Sequence, residues 1–175
     1  FQQTATGFAL AVRDAGFSTQ TYGLLVALNG ALIVLVELPI TSVTQRRKPV
    51  PVMIAGMLLL GAGFGIVGIA RSIPILALAV IIWTFGEMLE SPVAAAYLAA
   101  ISPPHLRGRY AGVVGLMWAI AAILAPSVGG LLFVAAPHGV VLWALCAVLS
   151  VVASLLLLAT GRRRGRALTG DMPAV

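Results

Sequence analysis

The chain has 175 residues, of which 61% are hydrophobic and only 9% charged, and its mean hydropathy of +1.08 excludes a water-soluble globular domain. A formal charge of +6 and a pI near 10.8 would fit a nucleic-acid-binding protein, but the basic residues lie between apolar blocks, so we expect no nucleic-acid partner. The single cysteine, Cys146, excludes a disulfide framework and a thiolate metal cluster.

Five apolar blocks are long enough to cross a lipid bilayer, because a transmembrane helix needs about 20 apolar residues. They cover residues 22–43, 50–70, 73–101, 110–135 and 140–160. Residues 1–12 are also largely apolar, but an α-helix of that length reaches only about 18 Å. We expect them to be the second half of a sixth helix and the chain to be a fragment of a longer polypeptide. The predicted fold class is an all-α polytopic membrane protein.

The charges of the connections predict the orientation, because Lys and Arg near the ends of spans are retained on the cytoplasmic side. Alternate connections carry nine and two basic residues, and the two are Arg13 and Arg71. The nine are Arg46, Arg47, Lys48, Arg107, Arg109, Arg162, Arg163, Arg164 and Arg166. We therefore expect the connections at 44–49 and 102–109 and the C-terminus to be cytoplasmic. Residues 161–175 are expected to form a disordered basic tail against anionic headgroups.

Two carboxylates in the span 73–101 are candidates for a functional site, since an ionisable group at membrane depth costs about 2.5 to 3.5 kcal/mol on insertion scales. Glu87 and Glu90 are three residues apart, which places them on one helical face. Their mutual repulsion favours keeping a proton on one of them, so Glu87 is predicted to bind and release protons. The alternative is structural, with either carboxylate bonded to a neighbouring helix. Glu90 could pair with Arg107, Arg109 or the cluster 46–48.

Helix-breaking residues near the glutamates and in the next span predict kinks, because proline frees backbone groups that neighbours or water must satisfy. Pro92 directly follows Glu90 and Ser91, and Pro126 precedes Gly129 and Gly130. Such kinks accompany helices that rock, and the alternative is a static bend that fits the bundle. The glycines of the span 50–70 are predicted to permit close helix packing.

Polar and aromatic side chains inside the spans are candidates for a substrate path. They are Gln2, Gln3, Thr6, Asn29 and Trp118. The first three fall on one helical arc and could line an aqueous path, and the alternative is hydrogen bonding between helices. Trp118, together with Trp83, could flank an apolar or aromatic substrate, and the alternative is packing against lipid or another helix.

Enzymatic chemistry is not expected. His105 and His138 lie in loops at different faces of the membrane, and the sequence contains no nucleophile motif or metal-ligand cluster. We therefore expect no cofactor and no bound metal.

Several motifs resemble the C-terminal helices of major facilitator superfamily (MFS) transporters. The runs Gly86–Pro92, Tyr97–Ala99 and Pro104–Gly112 resemble the tenth helix and the start of the eleventh. Arg13–Phe17 with Tyr22–Leu25 looks like the loop after the seventh helix and the opening of the eighth, and Ala125–Gly130 looks like the glycine-rich part of the eleventh. Arg46, Arg47 and Lys48 occupy the place of the family's cytoplasmic basic motif, but its glycine and aspartate are missing.

The resemblance implies a secondary transporter of the multidrug-efflux type, with this chain as its C-terminal half from a truncated seventh helix to the twelfth. It implies an N-terminal six-helix half as partner, a small-molecule substrate, protons as coupling ions, and gating roles for the basic residues of the cytoplasmic loops. We expect export across a bacterial inner membrane. The alternatives are a nutrient importer driven by proton symport, and a membrane scaffold or subunit that transports nothing.

Overall fold

The computed structural model describes the backbone of residues 2–170 and the side chains of residues 2–160. The helices are α1 (Gly7–Asp14), α2 (Thr19–Thr44), α3 (Pro49–Ile69), α4 (Ile73–Ile101), α5 (Arg107–Val134) and α6 (Val140–Gly170). Short 3₁₀ turns lie at Gln2–Thr4, Pro104–Leu106 and Pro137–Gly139, and residues 2–170 contain no strand. Five helices are long and apolar enough to cross a membrane, which confirms the predicted class of helical polytopic membrane protein.

Helices α2 and α3 begin at residues that satisfy or dispense with the free N–H groups of a first turn. Ser18 caps α2, where its hydroxyl accepts a hydrogen bond from the backbone N–H of Thr21 at 3.3 Å. Pro49 opens α3, where its missing N–H costs nothing. These two helices start close to the limits of 22 and 50 predicted from hydropathy.

Helix α3 lies between α4 and α6, and its glycines face both neighbours. A Cβ atom on Gly63 would lie 2.7 Å from Cβ of Trp83 in α4, and one on Gly61 would lie 2.6 Å from Cβ of Ser150 in α6. Such distances are too short for any side chain. The predicted packing role of these glycines is therefore confirmed, since they let three helices approach closely.

A row of four aromatic rings connects α1, α4, α3 and α6 through the core. Phe8 meets Trp83 edge to face at 4.7 Å between ring centroids. Trp83 lies 5.6 Å from Phe64, which in turn stacks on Trp143 at 5.9 Å. Phe8 is fully buried, so the short helix α1 is anchored in the bundle by this ring.

Helix α5 lies to one side of this core. Gly129 is the one buried residue of α5. The helix contacts α1, α4, α6 and the three 3₁₀ turns. An open apolar cleft of about 570 Å³ separates α5 from α6, with Gln2 and Gln3 at one side. The exposed apolar surface of α5 is the surface expected of a helix that faces lipid or a further part of a membrane assembly.

Two terminal segments differ from expectation. The predicted continuous helix over 1–12 is wrong, because residues 2–4 form a 3₁₀ turn and α1 begins only at Gly7. Thr4, Thr6 and Gly7 have low helix propensity, which explains the break. At the other end, α6 continues through 161–170, where disorder was expected, since Arg, Ala and Leu favour a helix. Residues 171–175 of the expected tail lie outside the described residues.

Candidate functional site

Glu87 lies at the midpoint of the 29-residue helix α4 and is half-buried. Its carboxylate oxygen Oε2 accepts a hydrogen bond from Nδ2 of Asn29 in α2, at 3.4 Å. Both residues were predicted as site candidates, and the structure brings them together. The contact places a carboxylate and a carboxamide from two membrane-length helices at one point.

Thr84 completes this polar cluster. Its hydroxyl accepts a hydrogen bond from Nδ2 of Asn29 at 2.9 Å and donates one to the carbonyl of Val80 at 2.6 Å. The side chain of Thr84 is 0% exposed. One Asn29 amide therefore connects α2 to two polar side chains of α4, and Thr84 holds this amide in place beside Glu87.

The cluster opens into a cavity of about 190 Å³ between α1, α2 and α4. Its walls combine three aromatic rings with small residues and the polar pair. The lining residues are Thr4, Ala5, Phe8, Tyr22, Val26, Asn29, Trp83 and Glu87. Tyr22 is fixed by a hydrogen bond from its hydroxyl to the carbonyl of Ala5 at 3.3 Å. The site is thus largely aromatic, with a carboxylate on one wall.

The described side chains that interact with Glu87 through their charge are acidic. Glu37 of α2 and Glu90 of α4 both interact with its charge. Among the side chains that the structure describes, the sole ion pair joins His138 to Asp14, so no Lys or Arg neutralises Glu87. A carboxylate in this position can bind a proton or another cation.

Glu90 lies against a different helix from Glu87. A Cβ atom on Gly56 of α3 would lie 2.8 Å from Cβ of Glu90, so Glu90 packs at the interface of α3 and α4 and is not part of the cavity wall. The expected alternative of pairing with Arg107, Arg109 or residues 46–48 is not observed within the described side chains. These basic residues are exposed at the ends of helices, whereas Glu90 lies about 17 Å from the end of α4.

The predicted substrate-path residues divide among three places. Gln2, Gln3 and Trp118 line the cleft between α5 and α6, whereas Asn29 belongs to the Glu87 cavity. Thr6 borders a separate hollow of about 340 Å³ near Arg13. The arc expected for Gln2, Gln3 and Thr6 is lost because the 3₁₀ turn interrupts the helix. The expected single path is therefore not formed by these residues.

The proline and glycine candidates lie inside helices. Pro92 is within α4 and Pro126 within α5. Beside Pro126, the carbonyl of Ala125 accepts a hydrogen bond from Nε2 of Gln3 at 2.8 Å, and Gln3 also lies directly against Gly129. Gly130, by contrast, has open space beside it. Gly129 thus serves as a contact point for the N-terminal turn.

The basic loop candidates are exposed at the ends of helices. Arg46, Arg47 and Lys48 connect α2 to α3, and Arg107 and Arg109 lie in the first turn of α5. Arg47 borders a hollow of about 260 Å³ together with Pro92 and Tyr97. This hollow lies between the end of α2 and the C-terminal part of α4.

Several residues of the site were missed from the sequence. Thr84, Phe8 and Tyr22 were not candidates, and the usable signals were spacings: Thr84 is three residues before Glu87, and Tyr22 is seven residues before Asn29. The described residues contain no group of three His, Cys, Asp or Glu side chains that could hold a metal ion.

Comparison with known proteins gives a family match over almost the whole chain. The model of the Major Facilitator Superfamily matches residues 1–173. The uncharacterized MFS-type transporter YqjV of Bacillus subtilis (strain 168) is 28% identical over 116 residues, which cover 66% of this chain and 28% of that protein. The uncharacterized MFS-type transporter YttB of the same organism is 28% identical over 135 residues, which cover 75% of this chain and 34% of that protein.

These matches are to transporters and not to enzymes. The chain spans about a third of the length of the curated relatives it matches. No solved structure matches it.

Proposed function

The chain belongs to the major facilitator superfamily, and on that premise we propose that it is the C-terminal half of a proton-coupled exporter of small amphipathic compounds. It works with an N-terminal six-helix half, and the two halves rock around a site near the middle of the membrane. The protein resides in a bacterial cell membrane with its C-terminus in the cytoplasm.

Two observations support the assignment to a C-terminal half. The relatives are MFS-type transporters about three times longer than the matched region. The order of the motif residues, from Arg13–Phe17 through Gly86–Pro92 to Ala125–Gly130, follows the seventh to twelfth helices of the family. The basic connections support the orientation, since the positive-inside rule places residues 46–48 in the cytoplasm.

The observation that carries the coupling proposal is Glu87. Its carboxylate lies at the midpoint of α4, beside a cavity, with Asn29 as hydrogen-bond donor and with no cationic partner among the described side chains. An ionisable group in this setting gains or loses its proton as the cavity opens to one side of the membrane and then to the other. Such alternation couples a proton to the movement of a substrate.

Substitution of Glu87 by Gln in the full-length protein tests this role, because Gln keeps the size of the side chain and cannot ionise. We expect Glu87→Gln to reduce proton-driven transport at least about tenfold, a typical loss when a proton-transfer group is removed. Transport is measured in reconstituted vesicles with an imposed pH gradient. Glu90→Gln, on the same helix but outside the cavity wall, is the matched control and should retain most activity.

The same vesicle assay distinguishes export from import, and a transporter from a membrane scaffold. Substrate driven toward the acidic compartment indicates proton antiport and export, whereas substrate that moves together with protons indicates an importer. If Glu87→Gln has unchanged transport and unchanged pH dependence, Glu87 does not couple transport to protons. The absence of any gradient-driven transport across a broad panel of amphipathic compounds would favour the scaffold.

A further inference from the structure

An open hollow of about 550 Å³ lies beside the basic connection between α2 and α3, and we call it the loop hollow. Arg46, Arg47 and Lys48 line it on the side of the connection. On another side it has an apolar wall, which consists of Pro51, Val52 and Ala55 of α3 and Leu89 of α4. Its volume lies within the range of about 300 to 1,000 Å³ that is common for ligand sites. The loop hollow therefore places three cations next to an apolar surface.

The described side chains do not neutralise the positive charge of the loop hollow. Over residues 2–160, the sole ion pair joins Asp14 to His138, and no described acidic residue lines the hollow. The three basic residues are exposed, and the side chain of Lys48 makes no capping hydrogen bond to α3. Cations that surround one space in this way favour an anionic ligand.

The basic side chains, and not the end of α3, are the groups that can bind such an anion. Two of the first three residues of α3, Pro49 and Pro51, carry no backbone N–H, so the helix has few free amides to offer. An Arg guanidinium donates two parallel hydrogen bonds to a phosphate, and a Lys ammonium binds it as a point charge. The donor groups of the loop hollow therefore suit a phosphate.

The apolar wall extends from this basic connection toward the middle of the membrane. Ala55 is six residues after Pro49, so the wall reaches about 9 Å along α3 from its first residue. The headgroup region of one leaflet is about 5 to 8 Å thick. The loop hollow thus crosses the boundary between headgroups and acyl chains. A free phosphate ion would leave the apolar wall uncovered, whereas a phospholipid covers it with an acyl chain.

We propose that the loop hollow binds an anionic phospholipid, with its phosphate on the three basic side chains and an acyl chain against the apolar wall. The positive-inside rule predicts this end of the bundle on the cytoplasmic side, where anionic lipids attract basic residues next to membrane spans. The site goes beyond the proposed transport function, since it requires neither Glu87 nor a proton gradient.

Three probes test the site in the full-length protein, after removal of bound lipid in a neutral detergent. Phosphatidylglycerol and phosphatidylcholine with the same acyl chains differ in net charge, and glycerol 3-phosphate carries the phosphate without acyl chains. Native mass spectrometry measures how much of each is bound. We expect phosphatidylglycerol to bind at least about tenfold more tightly than phosphatidylcholine, because the basic residues attract its net charge. Glycerol 3-phosphate should bind at least about tenfold more weakly than phosphatidylglycerol, because it buries no apolar surface.

Variants locate the effect. The combined variant Arg46→Gln, Arg47→Gln and Lys48→Gln should bind one molecule of phosphatidylglycerol fewer at saturation. The matched control is Arg107→Gln with Arg109→Gln, which removes basic charge from the start of α5, outside the loop hollow, and should leave the bound number unchanged.

A further variant tests the apolar wall without a change of charge. Ala55 is exposed, so Ala55→Trp can place a large ring in the loop hollow. We expect it to weaken the binding of phosphatidylglycerol several-fold and to leave that of glycerol 3-phosphate unchanged.

Two results with the unmodified protein would overturn the proposal without reliance on any variant. Equal binding of the two phospholipids would show that the basic side chains do not select an anion. Binding of glycerol 3-phosphate as tight as that of phosphatidylglycerol would show a site for a free phosphate ion. The proposal would also be wrong if the combined variant retained the full number of bound lipids, or if the control at Arg107 and Arg109 lost as many as the combined variant.

Discussion

At the scale of single residues, the Asn29 amide is the element on which the site depends. It donates to Thr84 and to Glu87, so its loss would leave these two side chains of α4 without their partner from α2. Interhelical hydrogen bonds in membranes contribute about 0.6 kcal/mol on average and at most about 1.7 kcal/mol. Each hydrogen bond of Asn29 is therefore expected to make a measurable but modest contribution to stability.

We predict that Asn29→Ala and Thr84→Val each lower the free energy of unfolding. In the double variant the decrease should be smaller than the sum of the two single decreases by about 0.5 to 1.5 kcal/mol. Equilibrium unfolding in detergent micelles gives the three values. Thr41→Val is the control, since Thr41 lies near the end of α2, about 18 Å along the helix from Asn29, and its effect should add to that of Asn29→Ala. Additivity of Asn29→Ala with Thr84→Val would contradict the hydrogen bond.

The same residues show what the sequence could and could not reveal about the site. Glu87 and Asn29 stand out because a charge and a carboxamide are rare and costly inside apolar spans. The sequence does not single out Phe8, Tyr22 and Thr84 in this way, since aromatic and hydroxyl side chains are common in membrane helices. Their membership depends on which helices pack together, and that is a property of the fold.

At the scale of helices, the α3–α4 interface depends on glycine. Cβ atoms at Gly56 and Gly63 would lie within 3 Å of backbone atoms of α4, and backbone cannot move aside as a flexible side chain can. The seven-residue spacing of these glycines puts them on one face of α3. The interface is therefore sensitive to a single methyl group.

We predict that Gly63→Ala destabilises the protein by about 1 to 3 kcal/mol, the usual cost of overpacking. Gly65→Ala, two residues away on the same helix, is the control, because its Cβ would make an ordinary contact of 3.7 Å with Ala147. Thermal unfolding of the two purified variants provides the comparison. Equal melting temperatures for both variants would show that α3 and α4 are not packed at this distance.

The helices themselves could be located from hydropathy, because an apolar run of membrane length has few other uses. α4 (Ile73–Ile101) has the predicted limits. The predicted helix over residues 1–12 was wrong because hydropathy does not report the low helix propensity of Thr4, Thr6 and Gly7. The spacing of Glu87 and Glu90 also misled in part: residues three apart differ by about 60° around a helix, which is enough for Glu87 to meet α2 while Glu90 meets α3.

At the scale of the whole molecule, side-chain contacts assign the connections to two ends. At one end, Asp14 accepts a hydrogen bond from His138 at 2.5 Å, which joins the end of α1 to the turn between α5 and α6. At the other end, Arg47 and Tyr97 border one hollow between α2 and α4. The two groups of loops that differ in basic charge are thus also separated in space, and the charge difference predicts which end is cytoplasmic.

We predict that Lys48→Cys is protected in intact cells from a membrane-impermeant maleimide and becomes reactive when the membrane is permeabilised, whereas Arg13→Cys reacts in both conditions. Both positions are exposed, so access to the reagent depends on the side of the membrane and not on burial. The measurement uses the full-length protein with Cys146→Ala and any other native cysteine replaced. Labelling of Lys48→Cys in intact cells would show that the orientation is the reverse of the predicted one. Glu87 would then exchange protons with the two sides of the membrane in the opposite order during transport.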